Sequence, residues 1–399
     1  MISAEPGAAT VLECDIAVVG GGMVGAAAAC RLAQSGLRVC VVEAQAPQPF
    51  AADQPLDRRV SAISPASIAL LQDCGAWESV LSMRACPYRR LETWELDGLA
   101  TRFAAEQLGV SELGYIVENR LIQLALWQQL QALDTVTLQV GVTLSALEQQ
   151  ADAVLLRLSG GRVIRSRLVL GADGANSQTR RLAHIGVSQW DYRQACLLIN
   201  VDIAGEQQDI TWQQFTPAGP RAFLPLAGSH GSLVWYDAPE RIRELEAMSP
   251  SQLADQIRAH FPSRLPEFCV TGCGSFPLTR RHALHYVSGR VVLLGDAAHT
   301  IHPLAGQGVN LGFGDVTDLC QRMTAAIEAT LPWDASSLLG AYEKRRRREN
   351  QLMQSAMDLF YLSFSNDLPP LRLIRNLGLM AAEHAGVLKR RALRYALGL

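Results

Sequence analysis

The sequence predicts an α/β fold with two lobes and a helical C-terminal region, and three observations lead to this prediction. An apolar strand, a glycine cluster and a strong helix-forming stretch follow one another at residues 15–36, as in a parallel βαβ unit. Residues 191–237 instead hold short strands separated by Pro and Gly, which is typical of an antiparallel sheet. After Trp333 the pattern is helical to the end of the chain.

Length and composition agree with a folded protein of this kind. The 399 residues exceed one average domain, and 49% of them are hydrophobic. The net charge of −2 gives no basic field, so we expect no nucleic-acid partner. The nine cysteines form no CxxC pair, which predicts reduced thiols and no metal site. No secretory signal and no apolar run of ~18 residues is found, so we expect a cytoplasmic protein.

The first lobe is predicted from strands of the buried, β-branched type and from helices between them. Its predicted strands are residues 15–19, 37–43, 135–148, 153–158, 163–170 and 290–294, and its predicted helices are 26–36, 64–71 and 122–133. The strand at 290–294 follows the antiparallel region in the chain. The first lobe is therefore predicted to be discontinuous, with the antiparallel sheet inserted in it.

These patterns divide the chain into three predicted regions. The nucleotide-binding domain comprises residues 1–75, 100–185 and 275–340; the β-sheet substrate domain comprises 76–99 and 186–274; the helical C-terminal region is 341–399.

The glycine loop at residues 20–25 has the pattern GxGxxG between a strand and a helix. Gly20 makes the tight turn, Gly22 allows the backbone to approach a pyrophosphate, and Gly25 allows the helix to pack on the strand. The phosphates then lie at a helix N-terminus, where free N–H groups and the helix dipole favour negative charge. Glu43 ends the next strand, where an acidic group accepts the adenosine ribose hydroxyls. These features predict a Rossmann-type dinucleotide site without distinguishing NAD from FAD.

Two further strand ends carry chemistry. Asp173 and Gly174, the Asp-Gly turn, are on their own ordinary turn residues. Gly295 and Asp296, the Gly-Asp turn, follow a buried strand and precede a glycine-rich stretch that opens a helix. Asp296 is suited to bind a ribityl hydroxyl of a flavin. A helix N-terminus here would stabilise the negative charge of the reduced flavin ring.

A chain with these three motifs in this order resembles the FAD-dependent aromatic hydroxylases typified by para-hydroxybenzoate hydroxylase, and the resemblance extends to about residue 340. It implies a Rossmann-type FAD-binding lobe with an inserted antiparallel β-sheet substrate lobe. Arg59, in RRVSAIS, matches a flavin-contacting arginine of that family. Asn119 stands where the family often has an arginine. The cofactor-binding residues that the motifs and the resemblance predict are Gly20, Gly22, Gly25, Glu43, Arg59, Asp173, Gly174, Gly295, Asp296, Pro303, Gly306, Gly308 and Asn310.

The stretch DAAHTIHPLAGQGVNLG at residues 296–312 is similar to the hydroxylases of ubiquinone biosynthesis. This similarity implies that the substrate is a prenylated quinol and that O2 is a co-substrate. The reduced flavin would form a C4a-hydroperoxide whose distal oxygen attacks the ring. There is no second GxGxxG after a strand, so the electrons come either from NAD(P)H bound transiently or from another donor.

The candidate catalytic residues are His302 and His299, which flank the flavin loop. Either histidine is a candidate for proton transfer to the substrate hydroxyl, although hydrogen bonding to loop backbone is the commoner role of such a residue. Trp212, Phe223 and Trp235 are predicted to be ordinary core residues, with an aromatic substrate pocket as the alternative.

The C-terminal segment mixes apolar residues with Arg and Lys from residue 371 onwards. A basic amphipathic helix lies well on an anionic membrane surface, so we expect either peripheral membrane contact or contact within a biosynthetic complex. A solvated basic face on a packed helix explains the pattern equally well. The sequence also leaves open a homo-oligomer.

Two other functions are compatible with parts of this pattern. One is a flavin oxidase, a dehydrogenase or a hydroxylase of another small phenol. The other is a flavoprotein-like subunit without activity, against which the intact glycine motifs argue, since a protein that binds no dinucleotide has no physical need for them.

Overall fold

A computed structural model describes residues 11–96, 98–301, 308–366, 369–386, 389–391 and 393–394. We label its strands β1 to β19 and its helices α1 to α10 in chain order. The helices are α1 (Met23–Gln34), α2 (Pro65–Asp73), α3 (Trp77–Met83), α4 (Asn119–Gln131), α5 (Gln178–Leu182), α6 (Pro239–Glu246), α7 (Pro250–His260), α8 (Gly308–Glu328), α9 (Ser336–Phe364) and α10 (Pro369–His384).

The first sheet is the predicted Rossmann-type sheet. Its members are β1 (Val11–Val19), β2 (Val39–Glu43), β8 (Val136–Val140), β9 (Leu144–Gln149), β10 (Val154–Leu158), β11 (Val163–Gly171), β17 (Val287–Ser288) and β18 (Val291–Leu293). The pairs β1–β2, β1–β11, β2–β8 and β11–β18 are parallel. Their carboxyl ends therefore meet at one edge of the sheet, where ligands of such folds bind.

The second sheet is the inserted one. Its members are β5 (Arg90–Trp94), β6 (Thr101–Ala104), β12 (Val187–Ile203), β13 (Ile210–Gln214), β14 (Arg221–Leu226), β15 (His230–Asp237), β16 (Phe268–Ala283) and β19 (His299–Thr300). Every pair is antiparallel except β5–β13. A third sheet, which the sequence analysis did not predict, comprises β3 (Val60–Ile63), β4 (Cys86–Tyr88) and β7 (Gly114–Glu118).

The α/β fold class is confirmed, and the strand pairing favours domain limits that differ from the predicted ones. Strand β6 belongs to the second sheet, although residue 101 lies outside the predicted substrate domain. Helix α3 packs through Trp77 and Val80 into the core of the first lobe, although it lies inside the predicted substrate domain. We therefore propose a substrate domain that starts near Arg90, at β5, and includes β6.

Two apolar cores lie on opposite sides of this architecture. The first joins the first sheet to α1, α4 and α8, and it explains why the inward faces of α1 and α4 are rich in Ala and Leu. The second lies between the second sheet and helices α6 and α7. All nine cysteines are free thiols, as predicted, and Cys269 is exposed. No helix in the described ranges is both long enough and apolar enough to cross a bilayer.

Candidate functional site: a dinucleotide cleft and its supporting network

The glycine loop and the Asp-Gly turn lie directly against each other. Gly20 follows β1 with a φ of +102°, and a Cβ atom there would lie 2.4 Å from the carbonyl oxygen of Ala172. No side chain fits this contact, so the first glycine of the motif is required both by its backbone conformation and by the approach of the second motif. Two turns that are about 150 residues apart in the sequence therefore form one surface.

Gly25 and Gly22 differ in how closely the protein surrounds them. A Cβ atom at Gly25 would lie 1.9 Å from the oxygen of Gly20, so helix α1 packs tightly on the loop. A Cβ atom at Gly22 would meet no protein atom within 4 Å. Gly22 is the N-cap of α1 and no side chain caps it. The first N–H groups of α1 therefore face open space that suits a phosphate.

Glu43 closes the loop from the end of β2. Its carboxylate accepts hydrogen bonds from the backbone N–H groups of Gly21, at 2.6 Å, and Gln45, at 3.0 Å. Since a carboxylate has about four acceptor positions, Glu43 can still accept from ribose hydroxyls. It lines a cleft of about 1020 Å³ together with Gly22, Arg59 and Asn119.

Two side chains that the sequence analysis missed hold the glycine loop in place. Gln123 and Trp127, on successive turns of α4, donate to the carbonyl oxygen of Gly21 at 2.8 and 2.7 Å. A Cβ atom at Gly21 would lie 2.9 Å from the Trp127 ring, so the packing of this ring favours a glycine at position 21. Their i, i+4 spacing on a predicted helix was visible in the sequence, but their target about 100 residues away was not.

The Asp173 carboxylate is used within the Asp-Gly turn. It accepts from the Ser177 hydroxyl and from the backbone N–H and hydroxyl of Thr179, at 2.9 and 3.0 Å. These bonds fix the start of α5. Gly174 has a φ of +77° and open space around it. The geometry favours a cofactor contact through the backbone of this turn, and a structural role for the Asp173 side chain.

The Gly-Asp turn completes the convergence of the three motifs. Gly295 has a φ of +57°, and a Cβ atom there would lie 3.2 Å from Val24 of the glycine loop. A Cβ atom at Gly312, on α8, would lie 2.6 Å from the same valine. The three strand ends that the sequence singled out therefore surround one site.

Asp296 and Arg59 face open space beside these turns. Both residues are exposed, and Asp296 forms no hydrogen bond or ion pair with the described residues. Protein atoms still surround its carboxyl group closely enough for desolvation to raise the pKa of Asp296, which the charges of His299 and Arg59 oppose. Arg59 lies over the ring of Phe276 at 5.0 Å, between the cleft and the second sheet.

Beneath the Gly-Asp turn lies a network centred on Asp315 of α8, whose side chain is fully buried. One carboxylate oxygen accepts from Gly295 N at 3.0 Å and from His299 Nε2 at 2.6 Å. The other accepts from Arg346 Nε at 2.8 Å and Asn350 Nδ2 at 3.0 Å. Burial alone would raise the pKa of Asp315, but His299 and Arg346 together hold it well below its ordinary value. We call these residues the Asp315 network.

The Asp315 network buries His299, whereas a catalytic residue must reach the substrate or the cofactor. The ring is 1% exposed, it pairs with Asp315, and it stacks on Tyr286 with ring centroids 5.9 Å apart. This geometry favours a positioning role for His299. The other candidate base, His302, lies outside the described residues, as do Pro303 and Gly306.

Asn310 and Gly308 lie in the first turn of α8. The Asn310 amide accepts from Ser64 N at 3.1 Å and from the Ser67 hydroxyl at 2.7 Å, and it donates to Ala62 O at 2.8 Å. These bonds join α8 to β3 and α2. The Asn310 side chain is therefore engaged by the fold, and Gly308 beside it has open space around its Cα.

Asn119, which replaces the arginine of the related hydroxylases, is tied to the wall of the cleft. Its backbone N–H donates to Arg59 O at 3.0 Å, and its side-chain oxygen accepts from the Ser61 hydroxyl at 2.7 Å. The neighbouring Arg120 donates to Asp57 at 2.9 Å. Both residues therefore support the segment that carries Arg59.

The aromatic residues of the second sheet belong to its core, as predicted. Trp212, Phe223 and Trp235 pack with α6 and α7, and each is at most 2% exposed. The opposite face of the sheet carries a different apolar group, which we call the inner face. Its members are Tyr192, Cys196, Leu198, Ala222, Val234, Tyr236 and Leu278, with Leu224, Phe276 and Tyr361 packed against them.

Residues 13–356 match the family described as "FAD binding domain", and the chain belongs to that family. Together with the three convergent turns, this membership defines the class: the protein is an FAD-dependent monooxygenase, an oxidoreductase that uses O2 and a reductant. The cofactor prediction is thereby confirmed. The cleft fits FAD, because an uncapped helix N-terminus and the Glu43 carboxylate lie along it.

Particular relatives show which FAD-dependent enzymes the chain resembles. The chain is 56% identical to the 3-demethoxyubiquinol 3-hydroxylase of Escherichia coli (strain K12), over 96% of this chain and 98% of that protein. It is 37% identical to the ubiquinone hydroxylase UbiL of Rhodospirillum rubrum, over 96% of this chain and 89% of that protein. The solved structure of p-nitrophenol 4-monooxygenase PnpA from Pseudomonas putida DLL-E4 has the same fold, with a TM-score of 0.79, 19% identity and coverage of 97% and 99%.

Proposed function

We propose that this protein hydroxylates the ring of a prenylated methoxy-methyl-benzoquinol, 3-demethoxyubiquinol, in ubiquinone biosynthesis. The observation that carries the proposal is the 56% identity to the Escherichia coli 3-demethoxyubiquinol 3-hydroxylase along almost the whole of both chains. Mouse and human relatives named as ubiquinone biosynthesis monooxygenases are 32% identical. All of these named relatives have the same general chemistry, the oxidation of a quinone precursor.

The chain's own residues have distinct tasks in this proposal. The first N–H groups of α1, beyond Gly22, bind the pyrophosphate, and Glu43 accepts the ribose hydroxyls. Asp296 accepts a ribityl hydroxyl, and Arg59 contacts the ring system. FAD, when bound and reduced, supplies the activated oxygen. NAD(P)H or another donor supplies the electrons.

The substrate ring is proposed to lie between Arg59 and the inner face of the second sheet. Phe276 is the part of that face over which Arg59 lies, at 5.0 Å. Leu198 and Leu224 belong to the same apolar group. Such a wall binds a hydrocarbon substituent and excludes water, which protects the activated oxygen from wasteful decay. His302 remains the predicted partner of the substrate hydroxyl.

The protein is further proposed to be a cytoplasmic enzyme that meets its lipid substrate at the inner face of the cytoplasmic membrane. A prenylated quinol partitions into the bilayer, so the membrane surface is where the enzyme is proposed to meet it. Contact within a biosynthetic complex is the alternative route.

The test is the quinone pool of a strain that lacks this gene. Mass spectrometry of its lipid extract should show demethoxyubiquinone accumulating, and complementation with the wild-type chain should restore ubiquinone. Purified holoenzyme with a reductant should add one 18O atom from 18O2 to a short-chain demethoxyubiquinol. Accumulation of an earlier precursor would assign the enzyme to an earlier ring hydroxylation, and an unchanged quinone pool would refute the proposal.

A further inference from the structure

Helix α9 has two faces of opposite character. On its inward face, Tyr342, Arg346, Asn350 and Gln354 recur every four residues, and all are buried. Each donates a hydrogen bond toward the first lobe or the Gly-Asp segment, for example Tyr342 to Leu293 O at 2.8 Å and Gln354 to Thr300 O at 3.1 Å. One face of α9 is therefore bound to the protein by polar contacts.

The outward face, which we call the outer stripe, changes from cationic to apolar along the helix. The stripe consists of Lys344, Arg348, Leu352, Ser355, Leu359 and Leu362, all of them exposed. Leu352, Leu359 and Leu362 are 60%, 66% and 54% exposed. These positions lie three or four residues apart, so they share one side of the helix.

The apolar half of this stripe is unusually free of charge. Asp358 is the one charged residue between residues 350 and 366, and it is paired with Arg280 at 3.1 Å. Lys344 and Arg348 form no ion pair with any residue in the described ranges. Three exposed leucines preceded by two such cations match the surface of an anionic bilayer, in which hydrocarbon lies beneath negative headgroups.

Other apolar residues near the end of α9 pack against the second sheet. Beside Leu362, Tyr361 packs against Tyr192 edge-on, with ring centroids 5.0 Å apart, and it is part of the inner-face group. Phe360, which is 44% exposed, stacks with Phe364, and Phe364 stacks on Phe215 at 4.2 Å. The inner face ends at Phe276 beneath Arg59. The end of α9 is therefore packed on the same inner face that carries Phe276.

From these observations we propose that the outer stripe of α9 is the surface that docks on an anionic lipid bilayer. The inference rests on the proposed function, since a prenylated substrate is the reason for the enzyme to reach the bilayer. Docking there would hold the enzyme at the layer that contains the prenyl chain. It also moves the contact away from the basic tail after residue 371.

The tail is less suited to this role than its sequence suggests. Arg375 is buried and pairs with Glu95 through two hydrogen bonds. Lys389 is buried and donates to Glu383 at 2.8 Å. Two of the tail's cations are therefore used inside the fold, while Arg390, Arg391 and Arg394 of the tail are exposed, as Lys344 and Arg348 of α9 are.

Flotation of the purified holoenzyme with vesicles of phosphatidylethanolamine and phosphatidylglycerol tests the inference. The triple variant L352Q/L359Q/L362Q should bind at least about ten-fold more weakly than the wild type, because it removes most of the insertable apolar area. K344Q/R348Q should bind these vesicles more weakly than the wild type, and its binding should depend less on salt concentration. The control L81Q/L284Q/L331Q alters three exposed leucines elsewhere and should bind like the wild type.

Gln has a helix propensity close to that of Leu, so FAD content and turnover of a water-soluble short-chain quinol should match the wild type in all variants. Wild-type protein that does not float, or equal binding by the stripe and control variants, would overturn the docking surface. A wild-type dimer that the stripe substitutions dissociate would assign the stripe to a second copy instead. Failure to turn over the short-chain quinol would refute the proposed function, whatever the vesicles show.

Discussion

The two sides of the Gly-Asp turn differ in how their polar groups are used. On the inner side, the Asp315 carboxylate accepts four hydrogen bonds from the protein. On the cleft side, Asp296 is exposed and forms none with the described residues. The two carboxylates are 19 positions apart in the sequence. A carboxylate whose acceptor positions are all filled by protein serves the fold, whereas one that faces open space is available to a ligand.

The strongest test of the inner side is Asp315→Asn. It removes a buried negative charge and leaves Arg346 and His299 without their partner, which should lower the free energy of unfolding by about 3–5 kcal/mol. Chemical denaturation of the FAD-free protein measures this. Glu349→Gln is the control, because Glu349 pairs with Arg346 from a partly exposed position, and its loss should cost about 1 kcal/mol or less. Equal losses of stability in the two variants would show that the buried Asp315 carboxylate is no more important to the fold than a partly exposed one.

The same denaturation measurement at low pH tests whether the Asp315 carboxylate is the group that stabilises the fold. The folded-state pKa of Asp315 is lowered, so its stabilising effect is complete above the unfolded-state value of about 3.9 and is lost as the pH falls below it. The Asn variant should therefore lose less stability than the wild type on acidification through that range.

The glycine loop offers a second pair of substitutions. Gly25→Ala places a Cβ atom 1.9 Å from Gly20 O, which should destabilise the FAD-free protein by about 2 kcal/mol or more. Gly22→Ala meets no protein atom within 4 Å. It should leave the stability of the FAD-free protein within about 1 kcal/mol of wild type while weakening FAD binding. Thermal unfolding without FAD and titration with FAD separate the two effects, and equal stability losses would contradict the contrast.

Asp296→Ala tests the cleft side. It should weaken FAD binding by about ten-fold or more through loss of hydrogen bonds to the ribityl chain. The FAD-free protein should remain as stable as the wild type, because no described partner is lost. Fluorescence titration with FAD and denaturation without it measure the two quantities. Full flavin occupancy in the variant would show that Asp296 is not the ribityl ligand.

Another pH-dependent effect concerns His282, whose Nδ1–H donates to the side-chain oxygen of Gln354 at 2.8 Å beside the Asp315 network. Burial, and then the charge of His299, lower the pKa of His282 to about 4. The unfolded chain takes up this proton near pH 6.5, so the site should reduce stability as the pH falls from 6.5 to 4. His282→Asn should flatten the stability profile in that window. An unchanged profile would mean that His282 titrates normally.

The sequence by itself determined the positions of the motifs and the class of fold. Glycines at 20, 22 and 25 and the strand ends at Glu43, Asp173 and Asp296 follow from local rules on turns, helix N-termini and parallel strands. The core role of Trp212, Phe223 and Trp235 was also predicted, because large aromatic residues on short strands are usually buried. These inferences succeed where a residue's role depends on its neighbours in the chain.

Only the tertiary structure decided which polar groups are already engaged. Asp173 is used to start α5, Asn310 joins α8 to α2, and His299 is buried against Asp315. Trp127 reaches Gly21 across 106 positions, and α9 has one bound face and one exposed face. No local pattern records such contacts, because a hydrogen bond between distant segments depends on where the whole chain has brought them, and the same side chain serves fold or ligand according to what lies opposite it.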